Sequence, residues 1–263
     1  MTDPATRASS PVLRWRERAQ PILPFVLLLA LWWAVTAAEV YPPALLAPPA
    51  EVLASVGALI ESRELQQHLG LSLQRLGLGL ALGVLVGLAF GIAMAVSRTF
   101  DRLTAPTFHA VRQVPSVALI PVLILVLGVG EAFKIVIIVK AAFFPVALAA
   151  AEGVRGIPAA LGEVARAWQL PPRAVLGKVI LPCTVPQVIT GIRLAAGRAW
   201  GTLVAAELIA SEAGLGQMME FARQMFRMEV VLLGLVLTGV IGFLLDRALK
   251  AVEARFTRWR VAS

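Results

Sequence analysis

The chain has 263 residues, of which 59% are hydrophobic and only 15% charged, with a mean hydropathy of +0.82. About a quarter of a soluble domain's residues are charged, so this composition excludes an ordinary water-soluble enzyme and indicates a polytopic, all-α membrane helix bundle. The net charge of +8 lacks the aromatic interleaving of a nucleic-acid binder; the single Cys183 allows no intrachain disulfide; and His68 and His109 have no ligand-spaced partner, so neither nucleic acid nor a metal or other cofactor is expected.

Apolar stretches recur at 22–38, 69–96, 114–128, 132–151, 188–210 and 230–249. Most approach or exceed the roughly 20 residues that cross a hydrocarbon core as a helix. The third is short, and Pro115 and Pro121 predict a kink there, or an extension by 108–113. Six spans put both termini on one side of the inner (cytoplasmic) membrane. Residues 1–21 and 251–263 are then tails flanking a transmembrane domain of 22–250. With the termini inside, sixteen Lys and Arg fall in cytosolic segments, and only Arg63, Lys134, Arg223 and Arg227 fall outside. Basic residues up to Arg18, an apolar run and Ala37-Ala38 resemble a secretory signal, but losing that run would leave five spans. The first span is therefore expected to be retained.

Between spans one and two, Pro48-Pro49 precede an expected amphipathic helix at 50–60, with Leu53, Val56 and Ile60 on one face. That helix either lies on the bilayer surface or docks a partner. Gly79, Gly83, Gly87 and Gly91 make one smooth stripe on span two, suited to close helix packing within the subunit ahead of a dimer seam. Gly214 and Gly216 mark a turn before 218–228, which offers a contact for an external protein. Its Met218, Met219, Met225 and Met228 equally suit core filling or a bilayer surface.

A polar, basic, proline-broken segment at 163–182, E-V-A-R-A-W-Q-L-P-P-R-A-V-L-G-K-V-I-L-P, interrupts these spans. Its spacing resembles the EAA loop of ABC importer permeases: E-A-A, three residues, Gly, nine residues, then Ile-x-Leu-Pro. Glu163, Ala165, Leu181 and Pro182 sit on that register, while Gln169 stands where the family usually has Gly. Pro171-Pro172 offer another way to make the turn. The expected form is a cytosolic coupling hairpin over 158–182, with helices at 158–169 and 172–180 and Gln169-Leu170-Pro171 as the turn. The resemblance implies that Glu163, Ala165, Arg166, Gln169, Leu170, Arg173, Leu181 and Pro182 dock an ATPase. Otherwise these charges are an ordinary solvated loop.

Further stretches resemble the branch of these permeases that handles nitrate, taurine and aliphatic sulfonates. They are L-A-P-P-A-E-V at 46–52, V-P-S-V-A-L-I-P-V at 114–122, G-V-G-E-A-F-K at 128–134 and G-I-R-L-A-A-G-R-A-W at 191–200, followed by Ala206-Glu207. The resemblance implies a type I ABC importer permease for a small organic anion. It also implies a homodimer in membrane lipid, served by two ATPase subunits and an extracytoplasmic substrate-binding protein. The chain is then not itself an enzyme, and it contains no G-x-x-x-x-G-K-[ST] loop to cradle phosphates.

Ionisable residues inside a membrane mark a pathway or a buried pair. Arg193 sits near the start of its span and suits snorkelling to headgroups. Lys140 and Arg198, with Glu207 further along, are candidates for lining a pathway attractive to an anion; internal pairing remains the other reading. Uptake of a pyrimidine or riboflavin-like vitamin precursor is the alternative within the class. An ion-driven secondary transporter would have no reason for a docking hairpin, and an intramembrane enzyme would need a nucleophile–base set or metal ligands that neither histidine supplies.

Overall fold

The computed structural model describes residues 23–256, so most of the two expected tails lies outside the described residues. The described chain is helical from end to end. α1 (Leu23–Ala37) is uniformly apolar and turns most of its surface outward, as a helix facing lipid does. Trp32 Nε1 donates to the Ala47 carbonyl at 3.2 Å, tying the following segment back to it.

α2 (Pro49–Glu61) begins where Pro49 needs no amide partner and Glu51 meets the positive helix end. It packs through Val52, Ser55 and Leu59, whereas Leu53 and Ile60 are exposed and Val56 is half-buried. The face of Leu53, Val56 and Ile60 thus points largely away from the rest of the subunit. Two overlapping apolar spacings exist on this helix, and the one facing α3 (Glu64–Val96) and the final helix is buried.

The glycine stripe of α3 packs inside the subunit against α6 (Glu131–Arg155). A Cβ at Gly83 would lie 2.6 Å from Ala142 Cβ, and one at Gly91 would lie 2.1 Å from the Ala147 carbonyl oxygen. From the other side, a Cβ at Gly191 would lie 2.4 Å from Ala149 Cβ. α6, rich in alanine, is therefore the central post, with α3 on one flank and α9 (Leu181–Ile209) on the other.

The third apolar stretch is not one span. α4 (Arg98–Gln113), capped by Ser97, meets a 3₁₀ turn at Val117–Leu119 and α5 (Ile120–Leu127) at an 89° bend. Val114, held extended before Pro115, makes the break, and Gly128 at φ +75° ends α5. α6 is followed by α7 (Ala159–Ala167), α8 (Pro172–Val175) and a π-helical turn at Leu176–Ile180 that runs directly into α9. The expected second arm is thus the lead-in of a long helix rather than a separate piece. Pro182 lacks an amide hydrogen and crowds the carbonyl of Lys178, which accounts for widening there.

α10 (Leu215–Gln224) and α11 (Met228–Phe256) complete the chain. Met218 and Met219 fill the core, Met225 is exposed and Met228 is half-buried. By length and composition α3, α6, α9 with its lead-in, and α11 can each cross a membrane. The bent α4–α5 pair is a fifth candidate, and α1 is a shorter apolar helix of 15 residues within the described part.

Candidate functional site

Two sets of residues singled out in the sequence come together, and a third cluster was not foreseen. The first set is the hairpin. α7 closes with a Schellman arrangement: the Leu170 amide donates to the Ala165 carbonyl at 3.0 Å and the Gln169 amide to Arg166 at 2.9 Å. Gln169 itself sits at φ +50°, the left-handed conformation that glycine adopts without cost. The reversal is therefore made at Gln169, in the family's glycine position, and Pro171 only starts the next turn through its carbonyl.

Ala165 is buried and Leu170 half-buried, which fixes the hairpin. Glu163, Arg166, Gln169, Arg173, Leu181 and Pro182 are exposed. Among the described residues none of Glu163, Arg166 and Arg173 has an ion-pair partner. Leu161, Val164 and Trp168 lie at helical spacing on the same short helix and are exposed, Trp168 at 77%. This exposed apolar stripe was not brought out by the charge pattern, although its i, i+3, i+7 spacing was legible.

The second set is a cavity of about 370 Å³ between the α4–α5 break, α6 and α9. Lys140 and Arg198 both line it, and so does Arg112 from the end of α4. Lys140 stands nine residues into α6, about 14 Å along it. Its ammonium donates to the Val114 carbonyl and, at 3.4 Å, to Ser116 Oγ, and it lies 5.7 Å from the Phe144 ring centroid. It thus stitches α6 to the break in the α4–α5 pair. Among the described residues, Arg112, Lys140 and Arg198 have no carboxylate partner.

Glu207 is elsewhere. Its side chain has no exposed surface and accepts from Ser72 Oγ at 2.8 Å, Arg75 Nη1 at 2.8 Å and the Gly216 amide at 3.1 Å. Arg75 grips Glu131 through two bonds of 2.7 Å, and Lys134 joins Glu131 at 3.0 Å. Arg75 Nη1 also reaches the Ala213 carbonyl, the Leu215 amide donates to Ser72 Oγ, and the Gly214 amide donates to His68 Nδ1. A Cβ at Gly214 would lie 2.3 Å from the Glu207 carboxyl carbon, and Gly214 is also at φ +132°, so only glycine fits. This knot ties α3, α6 and α9 to the loop before α10. Arg75, a lone cation within an apolar stretch, was the signal that the sequence reading passed over.

Arg193 pairs with Asp246 at 3.2 Å and with Glu253, which also accepts from Thr190 Oγ1, so it bridges α9 to α11.

The family model described as the binding-protein-dependent transport system inner membrane component matches residues 81–258. The chain belongs to that family. It is thus a multi-pass inner-membrane permease component, with ATP hydrolysis outside this chain. The chain is 37% identical over 254 residues to the taurine transport system permease protein TauC of Escherichia coli K12, covering 94% of this chain and 92% of the relative. It is 36% identical to the protein named as the aliphatic sulfonates transport permease SsuC of Bacillus subtilis 168, over 91% and 86% of the two chains. A more distant relative, the bicarbonate transport system permease protein CmpB of Synechococcus elongatus, is 30% identical over 67% and 64%. A chain of the inward-facing MetNI methionine ABC transporter superposes with a TM-score of 0.61 at 20% identity, over 74% of this chain and 95% of that one. The fold is that of a type I importer permease.

Proposed function

We propose that this chain is the permease subunit of an ATP-driven importer for a small organic anion, with aliphatic sulfonate or taurine ahead of nitrate. The observation that carries this reading is the convergence of Lys140 and Arg198, from two different spans, on one cavity beside the α4–α5 break. Cations exposed to such a cavity in low dielectric raise the local concentration of an anion. The relatives that transport taurine and sulfonates point to the same chemistry.

Two copies of the chain would surround the pathway, with Leu194, Gly197, Arg198 and Gly201 on the outward side of α9. Both termini and the hairpin lie in the cytosol, in keeping with the excess of Lys and Arg there. Two ATPase subunits engage the hairpins through Leu161, Val164 and Trp168, with Glu163, Arg166 and Arg173 as polar contacts around them. Closure of the ATPase pair tilts the hairpins, and because the π turn passes without a break into α9, the tilt reaches Arg198 through one rigid body. An external binding protein delivers the solute to the opposite end. Glu207, held inside the knot, acts as a structural residue and not as part of the pathway.

The test is uptake by the reconstituted complex with its ATPase and binding protein, scanning labelled sulfonates, nitrate and neutral vitamins. ATP-dependent uptake of an anion is expected; uptake of a neutral compound alone would refute the anion pathway. Glu163→Arg is expected to abolish co-purification of the ATPase, and unchanged co-purification and transport would overturn the docking assignment.

A further inference from the structure

Three cations line the cavity at the α4–α5 break, and among the described residues no carboxylate does. The α9 wall is formed by Gly197, Arg198 and Gly201. A Cβ at Gly197 or Gly201 would meet nothing within 4 Å, unlike one at Gly91 or Gly191. These two glycines therefore serve no close packing inside the subunit; they keep the space beside Arg198 open. The other side-chain polar groups in the lining are the Ser116 and Thr202 hydroxyls.

We infer that this pocket takes the head of a monoanionic sulfonate and discriminates against a zwitterion that carries an ammonium beside that head. The inference rests on the reading of the chain as a permease for small organic anions. A sulfonate is a permanent anion, whereas a carboxylate in a low-dielectric site can escape desolvation by taking a proton. Its three oxygens can accept at once from Arg112, Lys140 and Arg198. Lys140 is already oriented by the Val114 carbonyl and Ser116 Oγ, and an ammonium has a third donor left for the anion.

The same arrangement offers a second positive charge no opposite charge, and only the Ser116 and Thr202 hydroxyls as neutral acceptors. The Val114 carbonyl is engaged by Lys140, and so is the face of Phe144. An ammonium two carbons from the sulfonate would stand among three cations without an acceptor carboxylate. The amino-acid identities to taurine and sulfonate permeases, 37% and 36%, do not separate these substrates; the charge of the pocket does.

Ethanesulfonate and taurine differ by one ammonium and are the probes. The permease–ATPase complex is purified without its binding protein, so that protein's own selectivity is absent, and titrated calorimetrically with each. Ethanesulfonate is expected to bind about tenfold or more tightly than taurine, since like-charge juxtaposition is costly at a desolvated site. Lys140→Gln and Arg198→Gln are each expected to weaken ethanesulfonate binding about tenfold, a lost charge-assisted contact. Gly201→Leu is expected to block binding while the complex keeps its elution volume.

Equal or tighter binding of taurine overturns the inference, as does binding by neither probe. Unchanged ethanesulfonate binding in all three variants overturns it too. Loss of assembly in Gly201→Leu would assign that wall to a subunit contact and also overturn the site. If the complete system with binding protein transports sulfonates while any of these negatives holds, only the pocket assignment fails. If it transports no sulfonate, the reading beneath it fails.

Discussion

Removing Glu207 from the buried knot should be among the costliest single changes in this chain. Glu207→Ala deletes an acceptor used by Ser72 Oγ, Arg75 Nη1 and the Gly216 amide, at 2.8, 2.8 and 3.1 Å. Breaking a buried ion pair by removing one partner costs about 3–5 kcal/mol, because the other charge is left uncompensated. Arg75 keeps Glu131 through Nε and Nη2, which favours the lower half of that range. The Gly216 amide adds about 1–3 kcal/mol if it finds no water. Arg75→Met removes the opposite partner, yet Glu131 is 62% exposed and retains Lys134, so most of the penalty falls on Glu207. In the double variant Arg75→Met/Glu207→Ala neither charge is stranded, and its cost should fall short of the summed singles by about 2 kcal/mol. Unfolding in mixed micelles titrated with SDS, followed by tryptophan fluorescence, measures all four corners of this cycle. A Glu207→Ala loss within about 0.5 kcal/mol, the range of a neutral surface change, would refute the knot as a structural element. Strict additivity in the cycle would do the same.

The other predictions probe local geometry. Gln169→Gly should stabilise α7 by about 0.5–1 kcal/mol, as the left-handed cost of a side chain exceeds the entropy glycine brings. Slower amide exchange at Leu170 would register it, and faster exchange would contradict it. Gly91→Ala should cost about 1–3 kcal/mol because the atom in its way is the Ala147 backbone oxygen, which cannot swing aside. Gly77→Ala, on the same helix but with nothing within 4 Å, should instead gain up to about 1 kcal/mol. Equal effects in SDS unfolding would sink the packing account of the stripe. Outside the spans, Arg223 first and then Gln224 hold the Glu220 carboxyl down from 4.5 to about 2. Its contribution to α10 is therefore complete above pH 4.5 and lost as pH falls through 2. The pair is exposed, so amide exchange in α10, corrected for its intrinsic pH dependence, should loosen over that window at low salt and much less at high salt.

The features legible in the sequence were those with a period or a fixed spacing. Apolar runs located the long helices, and the four-residue repeat of Gly79, Gly83, Gly87 and Gly91 identified a packing surface. The hairpin was placed by spacing, with its turn at Gln169-Leu170-Pro171, while the residue that makes the reversal was left open between Gln169 and the two prolines. Proline is the usual punctuation, yet the reversal belongs to Gln169, whose left-handed conformation is imposed by the Schellman hydrogen bonds rather than by its own preference. On α2, Leu53/Val56/Ile60 and Val52/Ser55/Leu59 both recur at helical spacing, and the sequence singled out the first, whereas the fold buries the second. In a membrane protein the more apolar face can belong to lipid, so hydrophobicity does not say which face is inside. The third span was read as kinked, but an 89° bend depends on what packs on either side of Val114. Arg75, Glu131 and Glu207 lie 56 and 76 residues apart along the chain, and no local pattern announces a contact of that kind.

The cations in these apolar helices divide by what lies within reach at their own depth. Arg75 has Glu131 and Glu207, and Arg193 has Asp246 and Glu253; each is a rivet between helices, compensated in the folded chain. Lys140 and Arg198 have no such carboxylate among the described residues, and with Arg112 they face a cavity instead. Holding like charges together beside a low-dielectric wall is unfavourable, and a fold that needed only mechanical strength would pair or delete them. Lys140 eases part of the cost through Val114 and Ser116, acceptors without net charge, which leaves the field in the cavity intact. Under the proposed function, an anion that arrives and departs removes the remaining cost. A permanent carboxylate partner would stabilise the resting subunit and abolish that dependence, so Thr202→Glu, placed on the same wall, should raise stability in SDS titration while lowering sulfonate uptake. Greater stability with undiminished uptake would mean that the cations are scaffolding and that the anion passes elsewhere.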